Sequence, residues 1–238
     1  MRYLLLFMLL VAVFVVGKRS FHCSGFGVEG VGETKTETRS LSNFHSIDLD
    51  LAGDVELRIG DYNVEVQAQE NLLPLLKTTV ENGNLRLYFD ASVSYSKDIK
   101  IIITAPAIDG LTVGGSGEIQ VLSPIQSDKM QVSIGGSGNV KIPQGTFNSL
   151  ECSISGSGSI EIMGRTNSAE FVVSGSGDVQ AKDLEINELN TQISGSGTVS
   201  AHVVAVLKAQ VSGSGDVYYS GNPAVESQVS GSGTVSKL

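Results

Sequence analysis

The chain has 238 residues, of which 41% are hydrophobic, and a formal net charge of −9. This length and apolar content are enough to bury a core, so the composition excludes an intrinsically disordered protein. The acidic balance, without a basic patch, argues against nucleic acid as a partner because phosphate binding needs Lys and Arg. Trp is absent and only 6% of the residues are aromatic, which indicates a core of aliphatic side chains.

The N-terminus combines Arg2 with an apolar run over residues 4–16. This run has the length of the hydrophobic region of a secretory signal peptide and is short for a membrane span. Residues 1–17 are therefore interpreted as a signal peptide or, alternatively, as an uncleaved helical anchor. Lipid attachment at Cys23 is a third hypothesis, although the residues before it match the small-residue attachment motif poorly. We expect an exported protein of the periplasm, outer membrane or cell surface.

Residues 18–33 include a glycine-rich stretch and are predicted to form a flexible tether. Residues 34–110 are predicted to form an irregular β N-terminal part. Within it, residues 46–59 alternate apolar and polar side chains on both sides of a turn, which predicts a degenerate copy of the unit repeated further along the chain. Asn82-Gly83 is a strong hairpin signal. Residues 99–104 are expected to form a strand buried on much of both faces or a first full coil.

From residue 111 to residue 238 a regular repeat dominates. A pattern of Val or Ile, Gly or Ser, Gly-Ser-Gly, any residue, and Val or Ile occurs seven times. Its central serines recur every 18 to 21 residues, at Ser116, Ser137, Ser157, Ser176, Ser196, Ser214 and Ser232. Self-similarity at a short period is typical of a solenoid. We predict an all-β fold, a β-solenoid in the form of a single-stranded, right-handed β-helix.

Alternation within each repeat predicts two inward columns of β-branched residues, which pack well on a pleated surface. The column before the turn is Val113, Ile134, Ile154, Val173, Ile193, Val211 and Val229, and the column after it is Ile119, Val140, Ile160, Val179, Val199, Val217 and Val235. We expect the glycines to supply positive φ and to let neighbouring corners approach, with the serine hydroxyls bonding to the next corner. A flexible Gly-Ser linker would not explain the phased flanks.

Cys152 falls in the inward column shared by Leu111, Val132 and Phe171, so it is interpreted as a small hydrophobe of the core. A disulfide with Cys23 is not expected. Two cysteines also make no metal framework.

Residues 38–44, the strand at 47–57, residues 69–74 and the Ser-Gly-Ser-Gly turns together resemble a family of bacterial exported proteins. This is the putative auto-transporter adhesin head GIN domain family, also called domain of unknown function 2807. The resemblance covers residues 34–238. It implies a β-solenoid fold, a cell-envelope location and an adhesin-like role, and it supplies no catalytic residue.

Stacked acidic residues could bind calcium or cleave a polysaccharide. The column directly after each Gly-Ser-Gly is Glu118, Asn139, Ser159, Asp178, Thr198, Asp216 and Thr234. Asp178 and Asp216 are two coils apart, roughly 10 Å at one strand spacing per coil. The column also lacks the pattern of calcium-binding repeats. The three histidines, His22, His45 and His202, show no pairing with a nucleophile or metal ligand. We assign no catalytic, cofactor-binding or metal-binding residue and no cofactor.

The first functional hypothesis is a non-enzymatic, exported binding or structural module. It would contact a glycan or an envelope protein through outward polar rows such as Gln192, Gln210 and Gln228. The alternative is a carbohydrate-active enzyme on a β-helix scaffold, which needs two carboxylates within about 10 Å of each other in a cleft. The C-terminal coil lacks a polar cap, so we expect its edge to carry a partner or to pair with a second copy.

Overall fold

The computed structural model describes residues 27–95 and 97–238. The segment interpreted as a signal peptide or anchor, residues 1–17, lies outside these residues, as do Cys23 and His22. In the part that is described, no helix is long and apolar enough to cross a membrane.

The described residues form strands throughout. In chain order they are β1 (Val28–Glu29), β2 (Thr34–Arg39), β3 (Ser46–Asp50), β4 (Asp54–Ile59), β5 (Asn63–Gln69), β6 (Leu76–Glu81), β7 (Asn84–Phe89), β8 (Val93–Ser94), β9 (Lys100–Ala105), β10 (Gly110–Val113), β11 (Glu118–Val121), β12 (Ile125–Ile134), β13 (Asn139–Ile154), β14 (Ser159–Val173), β15 (Asp178–Gly195), β16 (Thr198–Gly213), β17 (Asp216–Ser220), β18 (Ala224–Gly231) and β19 (Thr234–Lys237).

All strands except β1 and β8 belong to one continuous sheet of 17 strands, which is wound into a solenoid. Successive coils pair in parallel, and each Gly-Ser-Gly corner separates two faces. The pre-corner face carries β10, β12, the second halves of β13 to β16, and β18. The post-corner face carries β11, the first halves of β13 to β16, then β17 and β19. The predicted β-solenoid is therefore confirmed.

The predicted inward columns fill the interior. The first six members of each column are at most 2% exposed, whereas the seventh members are not buried: Val229 is 43% exposed and Val235 is half-buried. Cys152 lies in register between Val132 and Phe171 and is buried, as predicted. Burial raises the pKa of its thiol well above the ordinary value, so this cysteine is an unreactive core residue.

The corners of neighbouring coils approach so closely that glycine is required. A Cβ added at Gly136, Gly156 or Gly175 would come closer than 3.0 Å to a carbonyl oxygen of the preceding corner. The predicted positive φ occurs only in the last two corners, at Gly213 (127°) and Gly231 (131°). Close approach of the backbones is therefore the general reason for these glycines.

Hydrogen bonds between corners come from the backbone. From Ser137 to Ser232, the amide of each central serine donates to the carbonyl of the first glycine in the preceding Gly-Ser-Gly, at 2.9 to 3.2 Å. Within the described chain, the central serine hydroxyls make no hydrogen bond of their own, so the expectation that they join successive corners is wrong. The hydroxyls instead face solvent.

The N-terminal part adds two coils out of chain order. The coil of β3 and β4 pairs in parallel with β10 and β11, with Ile47 opposite Leu111 and Val55 opposite Ile119, so the degenerate copy is confirmed. On its other side the same coil pairs in parallel with β7 and β9. The second coil of the solenoid, β3 and β4, therefore precedes the first coil, β7 and β9, in the sequence. Local periodicity did not predict this order.

Antiparallel strands cover the outer edge of that first coil. β5 pairs with β9 and with β2, and β6 pairs with β7. Asn82 and Gly83 have φ of 52° and 78°, which a primed hairpin turn requires, and they connect β6 to β7 as predicted. Val28–Glu29, inside the segment predicted as a tether, pairs in parallel with β8.

Candidate functional site

Three glutamines and three serines form a regular grid on the pre-corner face of the last coils. Gln192, Gln210 and Gln228 lie opposite one another on successive coils, and Ser194, Ser212 and Ser230 do the same two residues later. In each coil the glutamine and the serine lie on either side of one inward residue, so alternation directs all six side chains outward. All six residues are exposed. We call this grid the glutamine–serine face.

The glutamine–serine face is a shallow, uncharged groove. It encloses a volume of about 210 Å³, and successive rows are separated by one strand spacing, about 4.8 Å. No hydrogen bond engages any of these six side chains within the described residues. Because each amide offers donors and an acceptor and each hydroxyl offers both, the groove presents a repeating set of free hydrogen-bonding groups.

The acidic column has a structural role. Asp178 Oδ1 accepts a hydrogen bond from Thr198 N at 3.0 Å. Asp216 Oδ1 accepts from Thr234 N at 2.9 Å and from Thr234 Oγ1 at 2.7 Å. Each carboxylate therefore supports the backbone of the next coil, and a threonine separates the two aspartates, as the sequence indicated.

A larger depression on the post-corner face brings together carboxylates that no single column reveals. It has a volume of about 370 Å³, and Glu161, Asp178 and Asp183 line it together with Lys182. The sequence analysis missed Glu161 and Asp183 because they lie in other columns. The outer bend, where the register between β15 and β16 shifts from Ala181 to Glu185, carries Asp183.

Asp183 is exposed and Glu161 and Asp178 are partly exposed, so none of the three acidic residues of this depression is buried. The depression therefore lacks the apolar enclosure that a general acid for glycoside cleavage needs. Among the residues described, no group of three or more His, Cys, Asp or Glu side chains is arranged to hold a metal ion.

Both described histidines have partners that the sequence did not predict. His45 Nδ1 lies 2.8 Å from Asp109 Oδ1, and His202 Nδ1 lies 2.8 Å from Ser220 Oγ. Glu185 is the register neighbour of His202 on the other side. No hydrogen bond or ion pair joins Glu185 to His202 in the described structure, so the three residues do not form a catalytic triad.

The N-terminal coils of the post-corner face are charged and internally neutralised. Lys100 lies 2.5 Å from Glu56, and Lys141 lies 3.1 Å from Glu118. The hydrogen bond from Lys100 lowers the pKa of Glu56. Burial, followed by the negative charge of Glu118, raises the pKa of Asp54. Glu56 and Glu118 are thus engaged by lysines, whereas the side chains of the glutamine–serine face make no hydrogen bond within the described residues.

The sequence profile of the family described as "Putative auto-transporter adhesin, head GIN domain" matches residues 43–223. The chain belongs to this family. The match spans nearly all coils, including the first two rows of the glutamine–serine face. A search of curated protein sequences finds no match.

Solved structures share the GIN-domain architecture. A putative adhesin from Bacteroides fragilis NCTC 9343 superimposes with a TM-score of 0.83 at 23% identity, covering 89% of this chain and 100% of that one. A putative adhesin from Parabacteroides merdae ATCC 43184 gives 0.72 at 24% identity, covering 89% and 98%. A putative lipid binding protein from Parabacteroides distasonis ATCC 8503 gives 0.76 at 27% identity, covering 89% and 99%. The family supports an adhesin-like module, and the structures show that its fold is shared.

Proposed function

We propose that this chain is an exported, non-enzymatic module of the cell envelope that binds a neutral glycan through the glutamine–serine face. The single observation that carries the proposal is the grid of free amides and hydroxyls, repeated at the coil spacing along a groove that no charged residue lines. The adhesin description of the GIN-domain family is consistent with such a role.

The chemistry of the grid matches an extended, hydroxyl-rich polymer. A glycan presents hydroxyl groups along its length, and each side-chain amide can both donate to and accept from them. The stacked strands fix the backbone positions of Gln192, Gln210 and Gln228, so ligand binding has to order only their side chains. The column formed by these three glutamines runs parallel to the solenoid axis, and the polymer would lie along that axis.

The test is a glycan array probed with the full chain and with a Gln192→Ala/Gln210→Ala variant. Each lost hydrogen bond contributes about 1 kcal/mol, so removing two amides should weaken binding about tenfold or more. Gln120→Ala is the matched control because Gln120 is an exposed glutamine on the opposite, post-corner face. Equal loss in the control variant would contradict a site on the glutamine–serine face. No binding to any glycan would favour a purely structural role.

The P. distasonis neighbour raises lipid as another ligand class for this fold. The interior of the described coils is filled by side chains that are almost fully buried, so an acyl chain would have to bind on the outside. The free groups of the glutamine–serine face are polar, which favours a glycan over a lipid tail. Vesicle flotation of the full chain and of the Gln192→Ala/Gln210→Ala variant tests lipid binding at this face, because any membrane binding by the apolar residues 4–16 is the same in both proteins.

The carboxylates in the larger depression support a second candidate function, glycan cleavage on a solenoid scaffold. Glu161 and Asp178 would be the acid and base. Release of reducing ends from a glycan library, abolished by Glu161→Gln, would establish this activity. We favour the binding function because Asp178 already accepts the Thr198 amide and because neither Glu161 nor Asp178 is buried.

A further inference from the structure

The outer edge of β18 and β19 pairs with no other strand in the part of the chain that the structure describes. Val225 is 42% exposed and Val229 is 43% exposed. These two valines continue the columns of Leu207 and Val211, which are buried one coil below. The edge therefore presents the upper surface of the hydrophobic interior to solvent.

The backbone of β18 also has free hydrogen-bonding groups at this edge. In the preceding coils, residues with outward side chains direct their amides to the coil below, as Ser174 N does to Ile154 O at 2.8 Å. N–H and C=O of one residue point the same way in a strand, and the direction alternates. The same pattern in β18 leaves Val225, Ser227 and Val229 with backbone groups directed at the open edge, which is a template for pairing.

We propose that a second copy of this chain binds here, through antiparallel pairing of β18 with β18 of the partner about a two-fold axis at Ser227. This register places Val225 opposite the partner's Val229, and Ser227 opposite the partner's Ser227. Glu226 then faces the partner's Gln228. The same surface patch is used by both copies, as a two-fold dimer requires.

The edge is complementary to itself in this register. The three opposite pairs at Val225, Ser227 and Val229 exchange backbone hydrogen bonds, and the valines of the two copies cover one another. The two Ser227 hydroxyls can bond across the axis. No like charges are directly opposite. One strand pair buries less than the roughly 800 Å² per partner of a stable interface, so the dimer is weak and dissociates on dilution.

The test is sedimentation velocity of the full chain over a concentration series, in mild detergent because residues 4–16 are apolar. Ser227→Lys and Ser227→Asp each place two like charges face to face at the axis. Each variant alone should raise the dissociation constant at least about tenfold. Mixing the two variants should restore the dimer, because Lys then faces Asp. Only a register centred on Ser227 predicts this rescue.

Thr36→Lys is the matched control, because Thr36 is an exposed residue of the edge strand β2 at the other end of the solenoid. It should leave the dissociation constant unchanged, and circular dichroism should show that every variant is folded. The proposal is overturned if the wild-type chain stays monomeric at the highest concentration reached. It is also overturned if the dimer survives Ser227→Lys or if the mixture does not recover it.

Discussion

At the N-terminal end of the solenoid, antiparallel strands β5 and β6 cover the first coil, whereas at the C-terminal end β18 and β19 are the outermost described strands. The N-terminal edge strand β2 carries Lys35, Glu37 and Arg39. The C-terminal edge strand β18 carries exposed valines at positions 225 and 229. Charged edges discourage association and apolar edges promote it, so the dimer proposed above is expected at the C-terminal end and not at the N-terminal end.

The distribution of ion pairs follows the same division. All ten ion pairs found among the described residues lie between Lys35 and Glu151. The later coils rely on the ladder of inward side chains and on backbone bonds between corners. Eight of these ion pairs lie within residues 34–110, and the other two, Lys129–Glu151 and Lys141–Glu118, join the first regular coils. Ion pairs therefore support mainly the part of the fold that contains the coils placed out of chain order.

The largest expected difference concerns hydrophobic burial. Leu57 is fully buried in β4, with coils on both sides, so Leu57→Ala should cost about 2–5 kcal/mol. Val225→Ala at the open end should cost less than about 1 kcal/mol because much of the side chain is exposed. Urea unfolding followed by tyrosine fluorescence measures both values. Equal costs would mean that the C-terminal coil is covered in solution.

Substitutions of the corner glycines test whether the C-terminal coil can shift more easily than an internal coil. A Cβ at Gly156 or at Gly233 would come closer than 3.0 Å to a carbonyl oxygen of the coil below. Gly156→Ala should cost about 1–3 kcal/mol because coils on both sides hold this corner in place. Gly233→Ala should cost less because the last coil can shift outward.

Gly135→Ala is the control for these two variants. At Gly135 the nearest atom to an added Cβ is Gly114 Cα at 4.0 Å, an ordinary contact. Thermal unfolding should therefore show little change. A large loss at Gly135 would indicate that conformational freedom, rather than close approach, selects glycine in these corners.

Asp216 should stabilise only the last coil. Asp216→Ala removes the bonds to Thr234 N and Oγ1, which together contribute about 1 kcal/mol at an exposed site. Hydrogen exchange should become faster in β19 and stay unchanged in β4. Asp178→Ala is the matched change inside the stack, and it should affect exchange less because further coils hold Thr198 in place. Unchanged hydrogen exchange in β19 would contradict a structural role for the acidic column.

The regular coils could be predicted because each one repeats the same local pattern. Once Ile154, Val173 and Ile193 are recognised as one column, their register follows from the spacing alone. The N-terminal coils could not be ordered in this way. Ile47 pairs with both Leu85 and Leu111, and nothing in the local alternation decides which long-range neighbours a strand takes.

The candidate site could be predicted only in part, as the fold could. Gln192, Gln210 and Gln228 form one column, so the sequence showed them together. The serines beside them were not singled out because each belongs to a corner motif that had a structural explanation. Glu161 and Asp183 share a depression with Asp178 only through the outer bend, whose length varies from coil to coil. Column reasoning cannot locate such a group.

The smallest expected effect is the pH dependence of the charged end. The hydrogen bond from Lys100 lowers the pKa of Glu56 below its ordinary value of 4.5. The ionised pair therefore stabilises the fold fully above pH 4.5, and this contribution is lost as the pH falls through the lowered pKa. Asp54 acts in the opposite direction, because burial raises its pKa and its protonation on acidification favours the folded state.

Glu56→Gln separates the pH dependence due to Glu56 from that due to Asp54. The variant should be less stable than wild type by about 0.5 kcal/mol at pH 7, as for a surface ion pair, with the difference shrinking as the pH drops well below 4.5. Urea unfolding at several pH values measures it. Glu188→Gln is the control for the substitution itself, since Glu188 is exposed and has no ion pair in the described chain. A Glu56→Gln difference that stays constant with pH would show that the charged end is held by packing alone.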